Sequence, residues 1–334
     1  MGLADYLILK ECSLQAAIDQ ILTETDILYQ RKFVNTMEIP EVLEAFKIND
    51  GIYKREYVEA AVQHKDEIIP HLIGILDKVL SDPALYLEND YFDHLYAVIL
   101  LGHFGAHQAH KTIIDVFSMP GESLYEIFGD TITEDLPAIL FKTCGGSLDE
   151  IRALALNKDA YVYCRSSALK AMVYAVVDGM VSREEVLEFF GSLFTGNEAE
   201  PDSDFWSFAA GCIRDLYPEE LMPVIEKAYQ DEMIDPWFIA PRDFEKALER
   251  GKEYAFGQVR KNMERRMPAD VHKLMSWWAC FKSEEQYAVP LDSVPSTAPS
   301  VVPPVILTKK EKRDRKKKKK KRKMAKASRR KNRR

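Results

Sequence analysis

An all-α fold, an α-solenoid of HEAT-like helix pairs, is what the sequence predicts, and three observations carry it. Apolar residues recur at intervals of three and four along most of residues 37–287. No segment alternates apolar and polar residues long enough to make a half-buried strand. Short proline- and glycine-containing breaks separate the periodic stretches into helix pairs of irregular length.

The elements follow in chain order. Residues 1–36 are expected to form a helical extension, with Leu14, Ile18 and Ile21 on one stripe. In the body, Ile68, Ile69, Leu72, Ile73, Leu76, Val79 and Leu80 make one buried helix face. Leu95, Val98, Ile99 and Leu101 make the next, followed by Ile113, Ile114, Val116 and Phe117. The period returns in Ala168, Leu169, Met172, Val173 and Val176, in Val186, Leu187, Phe189 and Phe190, and in Phe205, Phe208, Ala209, Cys212, Ile213 and Leu216. Breaks are expected at Asp82-Pro83, Met119-Pro120-Gly121, Gly145-Gly146, Asp178-Gly179, Asn197 to Pro201 and Tyr217-Pro218. An apolar phrase around a proline recurs at Pro70, Pro137 and Pro223, where first-turn prolines are expected because the missing N–H has no helical partner there. Residues 288–308 hold five prolines and read as an extended spacer.

Charge divides the chain sharply. Of 46 basic and 53 acidic residues, 19 basic and two acidic lie in residues 309–334, a net of +17, which leaves −24 on residues 1–308. Lys316, Lys317, Lys318, Lys319, Lys320 and Lys321 run consecutively, followed by Arg322, Lys323, Arg329 and Arg330. Such a segment buries nothing and repels itself, so it is expected to be a disordered basic tail. These residues are the candidate contacts to a polyanion, whether RNA, DNA or the ribosome, neutralising phosphates without reading bases. In a eukaryotic cell the same run reads as a nuclear address.

The five cysteines, Cys12, Cys144, Cys164, Cys212 and Cys280, form no C-x-x-C pair, which excludes a disulfide framework and a zinc ribbon and fits a reducing cytoplasm. The N-terminus lacks a signal-peptide pattern, and Tyr6 stands where myristoylation requires Ser or Thr after Gly2. No apolar run is long enough to span a membrane.

No phosphate loop, nucleophile elbow or kinase signature is present, and no cofactor is implied. His103, His107 and His110 stand at spacings that would put three imidazoles on one helical face, a candidate metal site, although Gly102 and Gly105 flank the first and break the helix. Asp130, Thr131, Glu134 and Asp135 crowd carboxylates within one short phrase, a pattern for acid–base chemistry or a metal. The structural reading is a capping box from Thr131 to Glu134. Arg165, in YCRSSAL, is a candidate bidentate clamp for an anionic ligand, but the stronger expectation is a pair with Asp130 or Asp135 in the adjacent repeat. Trp277, Trp278 and Phe281 are expected to close the apolar end of the last repeat, with base stacking as their functional alternative.

Four stretches carry a family likeness: KREYVEAAVQHKDEIIPHLIGIL from Lys54, YAVILLGHFGAHQAHKTIIDVFSMPGE from Tyr96, GDTITEDLPAIL from Gly129 and YCRSSALKAMVYAVVDGMVSREEV from Tyr163. In order and spacing they resemble the bacterial domain of unknown function 1186, over about half of the chain from Glu38 to Gly196. The resemblance implies a HEAT-like helical repeat domain and brings no established activity. Relatives of this kind often end in a cysteine-rich SEC-C zinc module, which is absent here because no cysteine follows Cys280.

The expected function is a non-enzymatic, cytoplasmic scaffold whose acidic body binds a protein or peptide along the solenoid face while the basic tail tethers it to nucleic acid or the ribosome. The alternatives are a metal-dependent enzyme using the histidine cluster, and a secreted effector that uses the tail to reach a host nucleus.

Overall fold

The computed structural model describes residues 37–200 and 203–281. The N-terminal extension, the proline spacer and the basic tail expected from the sequence lie outside the described residues. Seventeen α-helices and three 3-10 turns follow one another, and no strand is present among the described residues. No helix there is long and apolar enough to cross a membrane.

The helices are α1 (Ile39–Lys47), α2 (Arg55–Gln63), α3 (Lys65–Ser81), α4 (Pro83–Glu88), α5 (Asp93–Phe104) and α6 (His110–Phe117). Then come α7 (Ser123–Phe128), α8 (Thr131–Glu134), α9 (Leu136–Thr143), α10 (Asp149–Leu156), α11 (Val162–Asp178) and α12 (Arg183–Ser192). The chain continues with α13 (Phe205–Asp215), α14 (Met222–Gln230), α15 (Pro241–Arg250), α16 (Lys252–Arg266) and α17 (His272–Met275). All six expected breaks separate helices. Pro137 and Pro223 lie at the start of α9 and α14, whereas Pro70 sits inside α3, which begins five residues earlier, at Lys65.

Helices α3, α5, α9, α11 and α13 pack in succession as one row, and α6 and α10 lie against it as a second. Two of its helices, α5 and α11, are buried on nearly all sides. Every residue from Tyr96 to Gly102 is buried, as are Cys164, Ala168, Met172 and Val176 of α11. A helix hydrophobic all round belongs inside a protein, so these two form the centre of the core. Close approach fixes their neighbours. A Cβ at Gly102 would stand 2.6 Å from Ile139 Cγ1, so glycine lets α5 lie directly on α9.

The chain then departs from an open solenoid. After α15, residues 252–281 run back along the inner row as a strap. Asn262 accepts from the Tyr174 hydroxyl of α11, and Arg266 reaches the α8–α9 junction. Tyr53 Oη lies 2.7 Å from His272 Nδ1, and Trp278 and Phe281 pack edge-on against Phe92. The chain's own C-terminal helices thus lie along that row. Trp278 and Phe281 close the first repeats rather than the last.

Arg165 also departs from expectation. It does not reach Asp130 or Asp135. Its Nε donates to Ala155 O and its Nη2 to Glu198 O, both at 2.9 Å, and its guanidinium lies 3.8 Å from the Phe205 ring centre. Ala155 lies in the last turn of α10, so the arginine satisfies a carbonyl that the helix leaves without a partner. Arg183 serves the next repeat in the same way, donating to Leu216 O at the end of α13 and forking onto Glu220.

Candidate functional site

Where the strap meets the first repeats, an open cleft of about 470 Å³ remains. Its walls come from the α4–α5 loop, α7, the Gly129–Asp135 segment and the strap. Gly129, at φ +52, turns the chain sharply after α7 and brings the phrase Asp130–Asp135 to the cleft edge.

That phrase does not form the expected cap. Asp130 is the residue before α8 and has helical backbone angles, with no side-chain capping bond. Thr131 is buried, Thr133 Oγ1 donates back to Asp130 O, and Glu134 turns to the strap instead. Arg266 pairs with Glu134, and its Nη1 stands 3.7 Å from Asp135 Oδ1. Asp135 is 7% exposed, and burial pushes its carboxyl up to about 7, while burial draws the Arg266 guanidinium down. Asp135 and Arg266 also wall a small chamber of about 10 Å³, room for about one water, beside His103 and Lys142.

The cleft wall is strongly acidic. Asp90, Glu126, Asp130, Glu134 and Asp135 line it against one cation, Arg266. Glu126 and Asp130 are exposed, and neither forms an ion pair among the described residues. Aromatic surface borders the acids. Trp278 stacks on Phe281 with ring planes 6° apart, while Trp277 is 56% exposed yet held by a hydrogen bond from its Nε1 to Lys273 O. On the inner wall His94, 3% exposed, donates from Nε2 to Ile127 O. Its Nδ1 is left without a hydrogen-bond partner, as is Asp93 Oδ1, 3.9 Å away.

The three histidines singled out as metal ligands are not brought together. His103 lies in the last turn of α5, His107 in a 3-10 turn, and His110 begins α6. His110 Nδ1 donates to Thr143 Oγ1 at 2.8 Å, since that hydroxyl already donates to Ile139 O. His107 Nδ1 donates to Thr143 O at 3.2 Å, and Lys142 Nζ donates to His103 O at 2.7 Å. The cluster thus stitches the α5–α6 turn to α9. Burial holds the His110 imidazole down at about 4, so it is neutral. Among the described residues no group of three or more His, Cys, Asp or Glu side chains stands where it would hold one metal ion. Cys164 and Cys212 are buried, and burial pushes both thiols up to about 12, which removes thiolate chemistry from them.

The sequence singled out Asp130, Glu134 and Asp135 but missed Arg266, Glu126 and His94. Arg266 meets the acids only across the strap, which no local pattern encodes, whereas Glu126 stands four positions before Asp130 and was within reach of the sequence. Lys316 to Lys321, Arg322, Lys323, Arg329 and Arg330 lie outside the described residues.

A family model described as Protein of unknown function (DUF1186) matches residues 37–282. An uncharacterized protein of Chlamydia trachomatis is 33% identical over 211 residues, covering 63% of this chain and 84% of that protein. One of Chlamydia muridarum is 32% identical over 210 residues, with the same coverage. No solved structure matches the chain.

Proposed function

The chain belongs to the DUF1186 family, and we propose that it works as a non-enzymatic helical scaffold: the body carries a protein partner and the basic tail tethers the assembly to nucleic acid or the ribosome. The observation that carries this reading is the charge division, +17 on residues 309–334 against −24 on the rest. A polyanion is drawn to the first and repelled by the second, so the two ends serve different partners. With the inner row covered by the strap, the partner site falls to the acidic, tryptophan-lipped cleft.

The test is binding of labelled RNA and DNA across a salt series, to the full chain and to a chain ending at Thr308. Engagement of about six phosphates makes affinity fall roughly a thousandfold between low and moderate salt. The reading expects that steep dependence in the full chain and its loss with the tail. Equal binding by both chains, or binding by neither, rejects the tether.

A further inference from the structure

The cleft has a chemistry of its own that names what it takes. Resting on the scaffold reading, which assigns the cleft to a protein partner, we propose that the occupant is a basic peptide, with a Lys or Arg side chain seated between Trp277 and the carboxylates of Glu126 and Asp130.

Two independent features converge on a cationic side chain. The first is charge. Apart from the buried Asp135, four carboxylates line the cleft, those of Asp90, Glu126, Asp130 and Glu134, against the single guanidinium of Arg266, and that group is already engaged by Glu134. Glu126 and Asp130 therefore face the opening uncompensated, a complement to Lys or Arg and a barrier to phosphate.

The second is the aromatic lip. An exposed tryptophan is ordinarily mobile, but the Nε1–H of Trp277 is fixed on Lys273 O at 3.0 Å. Its ring face is thus presented in a set orientation beside Trp278, whose own plane is pinned by Phe281 and Phe92. An oriented indole face lining the same cleft as carboxylates is a seat for a guanidinium or ammonium group, through cation–π attraction and pairing at once. The molecule uses the same chemistry internally, where Arg165 lies on Phe205.

At about 470 Å³ the cleft holds a few side chains, which fits a peptide segment better than a folded surface.

The probe is a fluorescein-labelled nona-arginine peptide, with its nona-glutamate counterpart as control, titrated by fluorescence anisotropy into the full chain. The variants are the charge-reversal pair Glu126→Lys with Asp130→Lys, the single change Trp277→Ala, and a control pair Glu245→Lys with Glu249→Lys on α15, outside the cleft. All five side chains are exposed, so the positions tolerate change, and far-ultraviolet circular dichroism confirms folding. The expected result is that the cleft pair weakens the arginine peptide by about tenfold or more, Trp277→Ala by about fivefold, and the control pair by less than about twofold. Equal weakening by the cleft and control pairs would make the attraction a diffuse property of the acidic body and overturn the proposal. Absence of binding to the full chain overturns it as well. If the peptide binds only after residues 309–334 are removed, the occupant is the chain's own tail, and a separate partner is ruled out. RNA binding by the same variants is read in parallel. It stays unchanged if only the cleft proposal fails, and it is absent if the tether itself fails.

Discussion

Replacing Arg165 with alanine tests how the repeats are joined. The side chain is 3% exposed and makes two charge-assisted hydrogen bonds of 2.9 Å, one to the end of α10 and one to the loop before α13. Bonds from a charged donor contribute roughly 1.5–3 kcal/mol each, and truncation strands both carbonyls in the interior. A desolvated guanidinium on an aromatic ring adds up to about 2 kcal/mol, here over Phe205. These terms overlap, so the expected loss is about 4 kcal/mol. For a body of this size that lowers the melting temperature by about 10 °C. Arg165→Lys keeps the charge but reaches one carbonyl at a time, and is expected to lose about half as much. Asp130→Ala, by contrast, leaves the melting temperature within about 2 °C, because the aspartate is exposed and does not meet Arg165. The assay is thermal unfolding followed by circular dichroism. An Arg165→Ala melting point within about 2 °C of the parent would refute the clamp. Strong coupling between Arg165 and Asp130 in a double-mutant cycle would restore the pairing expected from the sequence.

Three further outcomes follow from the geometry. Asp135 holds its proton up to about pH 7 in the folded chain and loses it near 3.8 when unfolded, so below about pH 4 it contributes nothing. Between about pH 4 and 7 it lowers stability by roughly 1.4 kcal/mol per unit, and above that the loss is complete. Urea unfolding of the parent and Asp135→Asn from about pH 5 to 8 is expected to show the parent losing a few kcal/mol relative to the variant, whereas a constant difference would mean that Arg266 keeps Asp135 ionised throughout. Gly102→Ala forces a Cβ against Ile139 and is expected to cost about 1–3 kcal/mol by urea unfolding, while the same change at Gly74, which faces open space, is expected to be neutral or stabilising. His110→Asn is expected to lower stability by about 1–2 kcal/mol through its bond to Thr143, with the metal content of the purified chain unchanged by elemental analysis.

The helices were legible because their cause is local. Apolar spacing of three and four in Ile68–Leu80 or Ala168–Val176 is the imprint of a face being buried, and Asp82-Pro83 or Gly145-Gly146 cannot continue a helix. The strap was not legible, since α16 carries so few apolar residues that its burial rests on Ala255, Val259 and Met263 and on polar contacts such as Tyr174–Asn262. The candidate site divides in the same way. Carboxylates crowded at Asp130–Asp135 are visible in one dimension, but the arginine that answers them lies 131 positions after Asp135 in the chain, at Arg266. The spacing of His103, His107 and His110 implied one face, and Gly105, in the left-handed conformation at φ +61, ends the helix that would have aligned them. The spacing from Thr131 to Glu134 suggested a cap, yet a cap needs an extended first residue, and the helix has already begun at Thr131 after an Asp130 with helical angles.

The division of labour between body and tail is tested most directly by hydrogen exchange of the full chain with and without saturating RNA. The account predicts that RNA binds while the amides of residues 37–281 exchange at unchanged rates, because the polyanion engages residues 309–334 and leaves the acidic body open to its partner. Protection of body amides by RNA, above all around the cleft at Glu126–Asp135 or Trp277–Cys280, would contradict it.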